Sequence, residues 1–517
     1  MAVGPSARAG WRDWGGLGLL ALPTMLLGLD VTALYLMVPK LSVELTPSAT
    51  QSLWIMDAYG FFTAGFLITM GTLGDRVGRR RLLMIGVAAF GAASVFAAFA
   101  PGAGWLIVAR ALLGVAGATL MPSTLSLISN MFTNASQRAL AIGVWATMFA
   151  LGMAAGPIVG GMLAAHFWWG AVFLIAVPVA VLVLVGASAL LPEYRSPAGR
   201  LDLFSAGLSL ATMLPIIYAI KHAAAHGIDI QVLVAAFGGG SAAIAFVRRQ
   251  LRLSEPLLDL RLFSSRAFSA ALSVLLIGLV GFGGVMFLVT QYLQLVAGLS
   301  PTAAGLWMGP PALAMLIGAI GAPLVAAHVS PGVVMSGVLA LSLTGYALLA
   351  LAGTDSTLSV VTGFAFVYLG LGVIAALGTD IVVGAAPPQQ SGSAAALSET
   401  VQELGIALGV AVLGSLTTVI YRTTVETPPE LSPSAAETYR DSLSAAASLA
   451  HRVPAEALDY ARAASTDGVN TAAVVAGIAT AAASWACLTA LRHLRPLGDA
   501  EPEARKIAST TRSGDEW

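Results

Sequence analysis

Six charged side chains stand inside apolar runs of this 517-residue chain: Asp30, Asp57, Arg110, Asp380, Glu399 and Glu403. Two of them share the stretch AAALSETVQELGIALGVAVLGSLTTVI, Ala394 to Ile420. Four residues apart on a helix, Glu399 and Glu403 lie on one face. A charge at mid-membrane costs about 2.5–3.5 kcal/mol on insertion scales and is a functional candidate by default. Two buried carboxylates on one face cannot both ionise cheaply. Such a pair can load and unload a proton between two compartments, and its ionised form can hold a charged or amine-bearing solute. The structural alternative for each is polar packing against a backbone or hydroxyl partner.

Asp30 and Arg110 can pair across the first and fourth runs, which would offset much of the desolvation cost. Protonating Asp30 would then free Arg110; a static structural pair is the alternative. Asp57 falls near the outer end of the second run, in LWIMDAYGFF. It can receive a cation at an outer vestibule, or be a solvated helix end. Asp380 lies near the cytoplasmic end of its run and reads either as an internal proton exit or as a helix-end interaction. Trp54, Tyr59, Trp145, Met148, Phe149, Tyr292 and Trp307 can cradle flat lipophilic cations, with Gln291 as a polar companion. Trp145 and Tyr292 are the leading candidates; lipid-facing or packed side chains are the plain alternative. His166, His222 and His226 fall in loops and form no metal-ligand spacing with acids. The single Cys487 allows neither an internal disulfide nor a cysteine-rich metal site. No metal and no cofactor are expected.

The elements that must position these groups follow from composition. The chain is 57% hydrophobic and 10% charged, with a mean hydropathy of +0.85. A soluble domain carries about 25% charged residues, so a polytopic all-α membrane protein is expected. A span needs about 20 apolar residues. By that rule fourteen are expected, near 15–38, 51–73, 82–100, 104–128, 139–164, 168–191, 203–221, 230–248, 267–293, 302–326, 332–352, 357–383, 393–420 and 469–491. The two between 203 and 248 are the weakest. The first run is too long for a signal peptide, and no alternating pattern suggests a barrel.

Basic residues orient the spans. Nineteen of the 26 fall on the side of the termini, Arg110 falls within a span, and Lys40, Lys221, Arg422, Arg440, Arg452 and Arg462 fall opposite. Both termini are therefore expected in the cytoplasm, with the protein in the cytoplasmic membrane. The expected organisation is a tail, 1–14; a six-helix bundle, 15–192; an extra helix pair, 193–250; a second six-helix bundle, 251–491; and a tail, 492–517. The stretch 421–468 reads as a long external loop with helical tendency. Zero net charge argues against nucleic acid as a partner.

GTLGDRVGRRRLL, residues 71–83, joins the second and third spans. Gly71, Gly74 and Gly78 permit a tight turn. Asp75 stands among Arg76, Arg79, Arg80 and Arg81, where it can pair in one conformation and release in another. In LGMAAGPIVGGML, residues 151–163, Gly152, Gly156 and Gly160 share a helix face that lets another helix pack closely. Pro157 removes a backbone hydrogen bond, and Gly161 adds to the small-residue run. With ARALLGVAGATLMPS, residues 109–123, and LGLDVTALYLMVPKL, residues 27–41, these stretches resemble motifs of the major facilitator superfamily in order. SEPLLDLRLF, TQYLQ, LSPTAAGL, GTDIVVGAAPP and SETVQELG extend the likeness to its fourteen-span drug:proton antiporters of the QacA and EmrB type, over nearly the whole chain.

The resemblance implies a major facilitator fold whose bundles rock around a midplane site, with the first-span acid and fourth-span arginine as coupling residues. It implies proton-driven export of lipophilic, chiefly cationic, compounds, without ATP and as a monomer in the lipid bilayer. Members that handle dications carry a further acid in the tenth span. Here that span reads GPPALAMLIGAIGAP and has none, so good dication transport is not expected. A dedicated exporter of one endogenous product would present the same features, and a proton symporter is the more distant alternative. No Walker loop, nucleophile elbow or soluble catalytic domain suggests an enzyme.

Overall fold

The computed structural model describes residues 9–132, 134–194, 202–253, 256, 260–385, 391–429, 431–449, 453–494 and 496, and among these it is helical with no strands. In order the helices are α1 (Trp11–Ala33), α2 (Val38–Leu45), α3 (Ala49–Val77), α4 (Arg79–Ala98), α5 (Ala103–Met131), α6 (Ala135–His166), α7 (Ala171–Leu174), α8 (Ala176–Leu190), α9 (Leu203–His226) and α10 (Ile230–Arg252). They continue with α11 (Arg266–Gln291), α12 (Pro301–Trp307), α13 (Gly309–Ala326), α14 (Pro331–Ala350), α15 (Thr357–Gly384), α16 (Ser391–Thr424), α17 (Pro433–Asp441), α18 (Leu443–Ser448) and α19 (Ala455–Ala490). Among the described residues, 13 helical segments are long and apolar enough to cross a membrane. Helix α3, 29 residues long, carries the remaining expected span.

Local chemistry sets several ends. Ser48 starts α3 with a reciprocal cap: its hydroxyl accepts from the Gln51 amide at 3.2 Å, and the Gln51 side chain accepts from the Ser48 amide at 3.1 Å. Asp202, Asp229 and Ser265 cap α9, α10 and α11 one way only, each side chain accepting from the amide three residues on. Gly78, with φ +112°, turns the chain between α3 and α4 in a conformation other residues rarely adopt. The tenth expected span is divided at Met308, where Pro310 and Pro311 open α13.

In the N-terminal half, α1 packs on α6 and α8, and α5 on α3 and α4. In the C-terminal half, α11 packs on α15, α16 and α19, while α13 and α14 flank α15. The halves meet where α3 lies on α16 and where α6 lies on α12 and α13. Helix α9 sits against both α3 and α16, whereas α10 packs mainly on α9 and leaves most of its surface open.

The stretch expected as an external loop is largely built. Helix α19 begins at Ala455, well before the expected 469, because the Ala-rich run after Pro454 contains no further proline. Helices α17 and α18 fold over one end of the molecule, called here the cap end. The Tyr439 hydroxyl is buried and donates to the Ala457 carbonyl at 2.6 Å, and the Tyr421 hydroxyl donates to the Tyr439 carbonyl at 2.9 Å. Asp441 pairs with Arg422 on α16 and accepts from the Ala49 amide at the start of α3 at 2.8 Å. The cap thus ties the two halves together.

Candidate substrate and proton-coupling site

Asp30 on α1 and Arg110 on α5 form a buried ion pair, with Nη1 2.7 Å from Oδ2. The guanidinium is 2% exposed and donates also to the Ile55 carbonyl at 3.1 Å and the Met56 carbonyl at 3.5 Å. Its remaining face lies 4.8 Å from the centre of the Tyr59 ring, a cation–π arrangement. A guanidinium removed from water this completely needs such a full set of partners, while Asp30 is half-buried.

Glycine lets the other half approach this pair. A Cβ at Gly60 on α3 would stand 3.0 Å from the Ala407 side chain and 3.2 Å from the Glu403 carbonyl of α16. That close contact carries the buried Glu403 carboxyl to the seam. A cavity of about 10 Å³, room for about one water, is lined there by Tyr35, Asp57, Tyr59, Arg110 and Glu403 among others. Both halves therefore contribute a titratable group to one small cavity. Glu399, one turn earlier on α16, is half-buried and is not among the residues lining it. Asp380 is exposed on α15, beside Thr379, whose hydroxyl lies 3.2 Å from that of Ser398.

Asp57 has a partner the sequence did not announce. Lys221 Nζ stands 2.8 Å from each of its carboxylate oxygens, and both side chains are fully buried. The ammonium also lies 4.1 Å from the centre of the Trp54 ring. Charge counting places Lys221 on the outer face. Instead α9 runs on to His226, which leaves Lys221 inside the helix and turned toward α3. Asp57, read either as a cation receptor at an outer vestibule or as a solvated helix end, is likewise at a buried position.

The other candidates are dispersed. Trp145 is buried and donates to the Thr124 hydroxyl at 3.0 Å within the N-terminal half. Met148 and Phe149 are half-buried on α6, and the Phe149 carbonyl abuts Gly28 of α1. Tyr292 is held at the end of its own half: its hydroxyl donates to the Gly353 and Thr354 carbonyls and accepts from the Ser356 amide. Gln291 reaches across the seam to the Tyr35 carbonyl at 3.5 Å, and Trp307 is exposed. Tyr35, missed by sequence reasoning, lines the central cavity and faces the Phe287 ring at 6.3 Å across the seam. Its place in LGLDVTALYLMVPKL, five residues after Asp30, was the available signal.

The glycine motifs act through close contact. A Cβ at Gly152 would stand 2.1 Å from the Met25 carbonyl, at Gly156 1.9 Å from the Thr32 hydroxyl, and at Gly160 2.4 Å from the Ala33 carbonyl. That face of α6 therefore grips α1. Gly161 faces the other way, 2.3 Å from the Pro301 carbonyl of α12 on the same measure, and Pro157 abuts Gly305. In the turn between α3 and α4, the Arg80 amide donates to Glu193 at 3.1 Å and its guanidinium to the Leu191 carbonyl at 3.0 Å. Arg79 reaches the Pro122 carbonyl at 3.5 Å and Arg76 is exposed. Gly74 packs on the Arg79 side chain, and Gly71 has only ordinary contact with Pro122. The side chain of Asp75 lies outside the described residues.

Residues 20–410 match the Major Facilitator Superfamily. The chain is 42% identical to the multidrug efflux pump LfrA of Mycolicibacterium smegmatis, over 94% of this chain and 98% of that protein. It is 34% identical to the methyl viologen resistance protein SmvA of Salmonella typhimurium, over 86% and 90%. A bacterial homologue of the human lysosomal transporter Spinster, solved in an inward-facing conformation, superposes with a TM-score of 0.64 at 17% identity, covering 93% of this chain and 99% of that one. With its helical architecture and its charged groups gathered at the seam between two halves, the chain belongs to the Major Facilitator Superfamily and is a multi-pass membrane transporter, not an enzyme.

Proposed function

We propose that the protein is a proton-driven multidrug exporter whose preferred substrates are lipophilic cations. The observation that carries this reading is the gathering of Asp57, Arg110 and Glu403, from both halves, around one small cavity. Alternating access requires a site at the seam between the halves, and antiport requires a group that exchanges a proton for a cation. Glu403 answers both demands: it is buried, acidic and on the C-terminal side of the seam. Asp30 and Arg110 form the coupled element on the N-terminal side. The names of the relatives, a multidrug efflux pump and a methyl viologen resistance protein, support the same substrate class.

In this reading 15–192 and 251–491 rock as units, with 193–250 inserted between them. The cap end faces the outside, both termini are cytoplasmic, and one chain suffices. The test is dissipation of an imposed pH gradient in everted vesicles, using ethidium and tetraphenylphosphonium. Wild type should release protons on cation addition and Glu403→Gln should not. Cation-driven proton flux that persists at the wild-type rate in Glu403→Gln would remove Glu403 from the coupling role. Its absence in inserted wild-type protein would refute the export of cations.

A further inference from the structure

We infer that Trp54 and Asp57 form a subsite for an organic cation, and that Lys221 of α9 is its tethered occupant. The inference rests on the export reading above. The Lys221 side chain is an alkylammonium. It lies 4.1 Å over the Trp54 ring and 2.8 Å from both Asp57 oxygens. An aromatic face beside a carboxylate is what a lipophilic ammonium or phosphonium ion recognises. The position also adjoins the central site: Asp57 lines the same small cavity as Glu403 and Arg110.

The pair is not what holds α9 in place. Ile217 of α9 packs with Phe61, Ala407 and Ala411 in an apolar cluster, and Leu210 fills the space beside Gly65. A buried ion pair adds little stability over apolar side chains of similar volume, so packing alone can seat the helix. The ammonium instead neutralises Asp57 and fills its aromatic face. A substrate cation must displace it to use that subsite, or bind Glu403 alone. A dication that engages both acids must always displace it. Lys221 thereby sets how strongly a cation must bind before the subsite admits it, and the inserted helix pair takes part in selectivity.

Equilibrium binding of tritiated tetraphenylphosphonium to the purified full-length protein in micelles tests this. Lys221→Met should bind at least about tenfold more tightly than wild type, and the gain should vanish in Asp57→Asn/Lys221→Met. Equal affinity of Lys221→Met and wild type overturns the inference, as does a gain that survives in the double variant. Should Lys221→Met not assemble, the wild type itself decides. Its lysines are Lys40, Lys221 and Lys506, and mass spectrometry resolves them after treatment with a small membrane-permeant amine reagent. Saturating tetraphenylphosphonium should raise modification of Lys221 several-fold relative to Lys40; an unchanged ratio overturns the inference. Wild type that binds the cation while Lys221→Met is unchanged sinks only the tethered occupant. Folded protein that binds no cation in any variant sinks the export reading along with it.

Discussion

Separating Asp30 from Arg110 should reveal two unlike penalties. Removing one partner of a buried pair costs about 3–5 kcal/mol. In Asp30→Asn the guanidinium keeps the Ile55 carbonyl at 3.1 Å and the Tyr59 face at 4.8 Å. A hydrogen bond from a charged group is worth about 1.5–3 kcal/mol, so the low end applies, about 3 kcal/mol, or roughly 150-fold in the folding equilibrium. Arg110→Leu strands the Asp30 carboxylate, whose bond to the guanidinium at 2.7 Å is not replaced, so the high end applies, about 5 kcal/mol. The assay is unfolding in mixed micelles containing dodecyl sulfate, each variant compared with wild type. A deficit in Arg110→Leu no larger than that of Asp30→Asn would refute the reasoning.

Further tests address other parts of the molecule. Gly152→Ala drives a Cβ to 2.1 Å from a backbone carbonyl that cannot swing aside, and should cost about 1–3 kcal/mol. Gly143→Ala, on the same helix with nothing within 4 Å, should be neutral or gain up to about 1 kcal/mol; melting temperatures in micelles compare the two. Asp441→Ala removes the acceptor shared by Arg422 and the Ala49 amide. Labelling of Ser444→Cys by a membrane-impermeant maleimide should then rise several-fold over the same cysteine in the wild-type background. The Val232 amide and His222 hold the Asp229 carboxyl below its ordinary range. Its contribution is therefore present above about pH 4 and fades as the medium is acidified below that. Asp229→Asn should lower the melting temperature slightly at pH 7, with the difference shrinking toward pH 3.

The helices and the Asp30–Arg110 pair were legible in the sequence because both follow from the cost of placing polarity in oil. An apolar run of about 20 residues has few fates, and two opposite charges in neighbouring spans have strong reason to meet. Lys221 was not legible. Charge counting assigns a lysine near the end of an apolar run to the surface, and nothing local shows that α9 continues or that its partner lies 164 residues away. Tyr292 and Trp145 were ranked by residue type alone. Type cannot tell an aromatic that faces a site from one whose polar atom is already engaged by Gly353 or Thr124. Pro454 was the one available clue that α19 begins early, and composition alone obscured it.

The contact between α6 and α1 bears on how this molecule can vary over generations. At Gly152, Gly156 and Gly160 every substitution is an enlargement, since no residue is smaller than glycine, and the neighbouring atoms are backbone or a hydroxyl already engaged. Drift along that line has one direction, and the first step already collides. The groups around the central cavity are side chains, which residues of equal or smaller size can replace without a backbone collision. New substrate preferences should therefore arise by change around the cavity, while the ridge of glycines stays as it is.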